Sequence, residues 1–204
     1  CLVGSEMCIR DRSTSTQNYL KAIWGLKEWS SEPVTATLIA KQLGLKLSSV
    51  SDAVRKMAKQ GLVSHTPYGS VELTELGRQY ALVMVRRHRL LESFLVQALG
   101  YTWDEVHNEA ENLEHAVSDM LIERVDKFLD YPTRDPHGDP IPTVDGQITI
   151  PSAHRLTDSG AQSQVTVERI SDSDPQLLKF LEERGIVTGA VLSTREGAPF
   201  SDSL

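Results

Sequence analysis

The sequence predicts a mainly α protein with one β hairpin near its front and a short β-containing tail. Three observations point there. Between residues 14 and 128 apolar residues recur mostly every three or four positions, the period of a helix with one buried face. Strand-like runs are short and confined to residues around 62–73 and beyond 164. Pro, Gly and Ser fall between the periodic segments, where a chain turns.

The elements follow in order. "STQNYLKAIWGLKEW" carries Tyr19, Leu20, Ile23, Trp24 and Leu26 at helical spacing, and "SSEP" breaks it. "VTATLIAKQLGL" reads as a short helix ending near Gly44. "LSSVSDAVRKMAKQGL" is a third helix, with Ser48 and Ser49 as N-cap candidates, Val50, Ala53, Val54 and Met57 on one face, and Gly61 as its stop. "LVSHTPYGSVELT" is two strand-like runs around Pro67-Tyr68-Gly69, a hairpin. Three helices and a hairpin in this order make a winged helix-turn-helix. A long helix follows from about Thr74 to Leu99. The spacing then predicts one continuous helix from 102 to 128, opened by the capping box Thr102…Glu105, with Val106, Ala110, Leu113, Val117, Leu121, Val125 and Phe128 as its buried stripe. "YPTRDPHGDPIP" ends the helical part, and residues 152–163 have linker composition. "QVTVERI" and "AVLSTRE" read as strands flanking a helix capped by Asp174, with Pro175 at its first position and Gly185 at its end. The strands are too few to close a small barrel, so the last module is expected to be partial.

The bulk properties narrow the function. In 204 residues no apolar run approaches the ~18–20 of a membrane span, so no membrane partner is expected. The two cysteines, Cys1 and Cys8, both fall in "CLVGSEMCIRDRS", which lacks the layout of a secretory signal and resembles translated sequencing-adaptor readthrough. Residues 1–12 are therefore set apart as a non-native leader, which leaves no disulfide and a cytoplasmic expectation. The net charge of −7 argues against nucleic acid taken alone, but it is unevenly spread. Residues 1–101 hold 13 Lys/Arg against 8 Asp/Glu, and residues 102–204 hold 8 against 20. A basic front suits phosphates and an acidic rear suits cations.

The acidic half holds a pattern that a solvated face does not require. In "HNEAENLEH", His107, Glu111, Glu114 and His115 fall within an arc of roughly 100° at helical pitch. "HRLLE" on the preceding helix adds His88 and Glu92, four residues apart. Carboxylates so close repel each other unless a cation sits between them. A lone His/Glu pair is usually a surface pair, but two pairs beside an apolar seam point to metal ligation. No HExxH zinc motif is present, and no nucleophile or base stands beyond the candidate ligands, so an enzyme is not expected.

The segments "QNYLKAIW", "SSVSDAVRKMAKQGLV", "YGSVELTELGR", "RRHRLLESFL", "VHNEAENLEHAVSD" and "DPHGDPIP" together resemble the diphtheria toxin repressor family of metal-dependent transcription regulators, in its manganese-responsive, MntR-like branch. The resemblance implies a winged-helix DNA-binding domain over 13–75, a helical metal-binding and dimerisation domain over 76–142, a linker over 143–163 and a partial SH3-like domain over 164–204. It implies a primary metal site of Asn18, Glu111, Glu114 and His115, and a second of His88, Glu92 and His107, with a ligand from the last module near Asp172. Asn18 departs from the Asp usual in the manganese branch, and Lys21 stands where one manganese-responsive subgroup has Glu. Carboxylate in place of the iron branch's thiolate at Glu111 favours a hard ion, so Mn²⁺ is the expected cofactor and Fe²⁺ the alternative. DNA contact is expected from Lys46, Ser48, Ser49, Ser51, Arg55 and Lys56 on the third helix and from Tyr68 at the wing tip. The implied function is a repressor controlling metal-homeostasis genes, a homodimer on a palindromic operator in double-stranded DNA. A winged-helix regulator that does not sense metal is the rival.

Overall fold

A computed structural model describes residues 13–66, 69–160 and 162–195. The leader and the wing tip at Pro67-Tyr68 lie outside the described residues. The chain divides into two compact units, one of residues up to 86 together with 142–147, the other of 87–141 together with those from 148 on.

The first unit holds α1 (Thr14–Glu28), α2 (Ala36–Leu43), α3 (Leu47–Lys59), β1 (Val63–His65), β2 (Val71–Leu73) and the first half of α4 (Glu75–Leu99). Ser13 Oγ accepts from Thr16 N and Thr35 Oγ1 from Leu38 N, so α1 and α2 each start on a side-chain cap. Gly44, at φ +63°, turns the chain out of α2 and lets Leu45 N reach back to Ala40 O. That tight exit starts α3 at Leu47, earlier than the cap expected at Ser48 or Ser49. Lys46 occupies the N-cap without a side-chain bond, and both serines lie exposed inside the first turn. The helical stride buries Leu20 and Ile23 of α1, Ile39 of α2, and Val50, Val54 and Met57 of α3 in one core with Val63 and Val71. Each such side chain contributes roughly 1.5–3 kcal/mol by leaving water.

β1 and β2 pair antiparallel, Val63 opposite Leu73 and His65 opposite Val71, which puts both valines inward. Thr74 hinges this wing to α4: its hydroxyl donates to Gly61 O at 2.6 Å and accepts from Gly77 N at 3.1 Å. At Gly77 the helix passes so close to Leu62 that a Cβ would lie 1.9 Å from the Leu62 carbonyl oxygen.

The second unit holds the rest of α4, α5 (Trp103–Glu114), α6 (Asp119–Phe128), β3 (Gln164–Thr166), α7 (Pro175–Glu182) and β4 (Val191–Ser193). The continuous helix expected over 102–128 is two helices. Residues 115–118 leave the helical path and Ser118 caps α6 by accepting from Leu121 N at 3.1 Å. The break resets the phase: Ile122 and Val125 turn inward with Leu90, Leu91, Leu95, Val106 and Ala110, while Leu121 and Phe128 of the expected stripe face out.

The final module has one antiparallel strand pair among the described residues, Gln164 opposite Ser193 and Thr166 opposite Val191. α7 begins on Asp174, whose carboxylate accepts from Gln176 N and Leu177 N, and buries Leu178 against Trp103 and Ile170. The loop after α6 doubles back at Gly138, φ +87°, and Ile170 N donates to His137 O at 2.9 Å.

Candidate metal centre and nucleic-acid interface

The second half of α4 and α5 share the second core, and beside it they carry the acids and imidazoles. On α4, His88 and Glu92 are one turn apart and both buried. His88 Nε2 lies 2.9 Å from Glu92 Oε1, and His107 Nδ1, from α5, lies 3.3 Å from the same oxygen. Asp172, from the segment before α7, closes the group with Oδ2 3.1 Å from His107 Nδ1. These four residues offer ligand atoms all within 4.8 Å of one another. An ion held at roughly 2.1 Å by each ligand sets opposite ligands about 4.2 Å apart, so the spread fits one divalent cation.

Two further groups adjoin this one. Glu114, fully buried at the end of α5, takes His88 Nδ1 at 2.7 Å, and His88, Glu111 and Glu114 form a second cluster. His115 Nε2 is 3.4 Å from Glu114 Oε1. The third cluster, Glu92, Asp135 and His137, is wholly buried. His137 is fully buried and, among the described residues, neither ring nitrogen has a hydrogen-bond partner, although Nδ1 is 3.9 Å from Glu92 Oε2. Leaving a buried imidazole unsatisfied is costly, and a cation is the partner its lone pair suits.

The electrostatics match a site prepared for positive charge. Burial pushes the Glu92 carboxyl up, but the charge of His88, hydrogen bonds from His107 and His88, and the charge of His137 outweigh it and hold Glu92 well below the usual carboxylate range. Burial alone would lower His107. Its bonds to Asp172 and Glu92 prevail and raise it to about 10. Asp172 is lowered in turn, burial being outweighed by its bond to His107. Asp135 goes the other way: burial and the charges of Glu92 and Asp139 raise it well above the ordinary value, with Arg89 only partly offsetting them.

Of the expected ligands, His88, Glu92 and His107 are thus brought together, and Glu111 joins Glu114 and His88. His88 lies beside members of both expected sets, 2.9 Å from Glu92 and 2.7 Å from Glu114. Asn18 belongs to the first unit. Its Oδ1 is buried without a hydrogen-bond partner among the described residues. Sequence reasoning missed Asp135 and His137. The available signal was the lone histidine between two aspartates in "DPHGDPIP", which no helical period relates to α4.

On α3, the face opposite Val50, Val54 and Met57 presents Lys46, Ser48, Ser49, Arg55 and Lys56 to solvent, with Ser51 half-buried. Arg55 is paired with Asp52 one turn back. Tyr68 lies outside the described residues.

Comparison with known proteins agrees with these two assemblies. Residues 11–71 match the iron-dependent repressor N-terminal DNA-binding domain, residues 74–143 the iron-dependent repressor metal-binding and dimerisation domain, and residues 154–204 the FeoA domain. The iron-dependent repressor IdeR of Mycobacterium leprae is 34% identical over 194 residues, covering 89% of this chain and 84% of its own. The diphtheria toxin repressor of Corynebacterium efficiens is 38% identical over 134 residues, covering 66% and 58%. Among solved structures, a manganese-dependent transcriptional repressor in complex with manganese superposes with a TM-score of 0.85 at 51% identity, covering 89% of this chain and 83% of that one. ScaR with bound Zn²⁺ superposes at 0.78 with 32% identity, covering 91% and 86%. A winged DNA-binding unit, a buried dicarboxylate–imidazole centre and these matches agree: the chain belongs to the diphtheria toxin repressor (DtxR/MntR) family of metal-dependent transcriptional repressors.

Proposed function

We propose that this protein is a Mn²⁺-activated repressor that binds a palindromic operator as a homodimer and controls metal-homeostasis genes in the cytoplasm. The observation that carries the metal is the donor set. Oxygen and imidazole donors with no thiolate suit a hard or borderline divalent ion. A manganese-dependent repressor at 51% identity supports the same ion. The curated relatives named for iron favour Fe²⁺ as the second reading.

When bound, a divalent cation supplies the charge that lets Glu92, Glu111 and Glu114 approach without repulsion. His107 would have to be neutral to serve as a ligand, with Asp172 beside it as a further candidate. Glu114, which His88 holds at 2.7 Å, would serve as a ligand with Glu111 and His115 beside it. Asn18 is proposed as the ligand of the first unit, on the family resemblance and on its unsatisfied oxygen. Binding the ion selects the DNA-competent state. Lys46, Ser48, Ser49, Ser51, Arg55, Lys56 and Tyr68 then meet phosphates and base edges in the major groove. For the homodimer, α6 offers an exposed apolar face of Met120, Leu121 and Phe128, continued by Tyr131.

The test is binding to an operator selected from random duplex DNA, titrated with Mn²⁺, Fe²⁺ and Zn²⁺ at fixed salt, because phosphate contacts make affinity salt-dependent. Mn²⁺ should tighten binding at least tenfold over chelator. Equal binding in chelator and in Mn²⁺ would refute metal activation. A stronger response to Fe²⁺ than to Mn²⁺ would select the second reading.

A further inference from the structure

Arg87 is buried on α4 and reaches across the break between α5 and α6. Its Nη1 donates to the carbonyls of Glu114 at 3.2 Å and Val117 at 3.1 Å, and its Nη2 donates to the carboxylate of Asp119, the first residue of α6. The guanidinium thus sits at the carbonyl-rich end of α5, where a cation is favoured, and joins it to the start of α6. The next residue on α4, His88, holds the carboxylate of Glu114 at 2.7 Å. Adjacent α4 side chains therefore grip Glu114 at both ends, one through its main chain and one through its side chain.

We propose that Arg87 is a positioning residue for the metal centre. By fixing the main chain of Glu114 at the α5–α6 break, it keeps the Glu114 carboxylate and the His115 ring aimed at the ion when His88 lets go. The inference rests on the metal-sensing reading above. Two features of the structure carry it. Burying a guanidinium is expensive unless its donors are met, and here they are met by the turn that carries the ligands rather than by a distant loop. The sequence of 102–128 also has the apolar stride of an uninterrupted helix, so the break needs a tertiary contact to hold it. Only a planar fork spans two carbonyls and a carboxylate at once; an ammonium keeps the charge and loses the span.

The test titrates the full chain with Mn²⁺ alone, read by the electron paramagnetic resonance of the free ion, for the unaltered protein, Arg87→Lys, Glu114→Gln and the double variant. Glu114→Gln and Arg87→Lys should each weaken the affected ion at least tenfold, with the metal-free melting temperature of Arg87→Lys within a few degrees of the unaltered protein. Arg87→Lys should then have no further effect in the Glu114→Gln background, since an effect routed through Glu114 cannot act twice. Should Arg87→Lys fail to fold, Asp119→Asn releases one arm from a largely exposed side chain and should weaken the ion about threefold, again only where Glu114 is intact. Unchanged Mn²⁺ affinity in Arg87→Lys or Asp119→Asn, with Glu114→Gln impaired, overturns the positioning role. So do losses that multiply in the double variant, because they place Arg87 in general stability. If Glu114→Gln binds Mn²⁺ normally, the metal-sensing reading falls, and this inference with it.

Discussion

Loading the His88–Glu92–His107–Asp172 cluster should release a proton, and its pH dependence can be worked from the structure. His107 must be neutral to ligate, yet its bonds to Asp172 and Glu92 raise it to about 10. At pH 7 the ring is about 99.9% protonated, so an ion there competes with a proton at a disadvantage of about a thousandfold. A third of the His107 side chain faces solvent, which screens the pull. With half the shift removed, the ring is still about 95% protonated at pH 7. Apparent Mn²⁺ affinity should therefore rise five- to tenfold from pH 7 to pH 8, with about one proton released by this ring per ion.

The metal-free protein should show the opposite trend. A raised imidazole contributes stability that is fully present below its unfolded value near 6.5 and is lost as pH climbs through about 10. Calorimetry in two buffers of different ionisation heat counts the released protons, and titrations between pH 6.5 and 8.5 give the slope. Asp172→Asn removes the strongest bond raising His107 and should flatten the slope while leaving the fold intact. A flat profile with no proton released would refute ligation by His107. An unchanged slope in Asp172→Asn would show that the measured proton comes from another group.

Three further outcomes are expected. Glu92→Gln should abolish binding at both clusters that share this carboxylate and lower metal-free stability by about 3 kcal/mol, since His88 and His107 lose a buried counter-charge; isothermal titration and thermal melts check the two parts. Gly138→Ala places a Cβ 2.1 Å from the Glu168 carbonyl oxygen at a φ that L residues rarely adopt, so it should cost more than about 1 kcal/mol and change the fluorescence of Trp103, which stacks edge-on against His137. Met57→Ala should cost about 2–5 kcal/mol in the first unit and weaken DNA binding through loss of α3 rather than loss of metal, visible as a melting shift with Mn²⁺ affinity retained.

How far the sequence reaches follows from the range of the interactions involved. α1 to α4 were legible because each buries a regular stripe: Leu20 with Ile23, and Val50 with Val54 and Met57, repeat the helical period within one segment. The His/Glu pairs were legible for the same reason, four residues being one turn on α4 and on α5. The α5–α6 break was not legible, because Val117 and Leu121 keep the apolar stride across it. At the break, the carbonyls of Glu114 and Val117 take a buried guanidinium from Arg87, more than 25 residues away, a contact no local pattern announces. The role of His137 was hidden for a related reason. Its approach to Glu92 requires the 133–141 loop to double back at Gly138 and to be pinned by Ile170, contacts that no period in the chain encodes. The sequence thus marks candidate ligands that share a helix. Candidates delivered by loops, such as Asp135 and His137, become visible only once Glu92 of α4 is seen to be buried beside them. A carboxylate buried as deeply as Glu92 persists only where its charge is answered. Here the bonds from His88 and His107 answer it, and the proton on His107 is what a divalent cation bound there would have to displace.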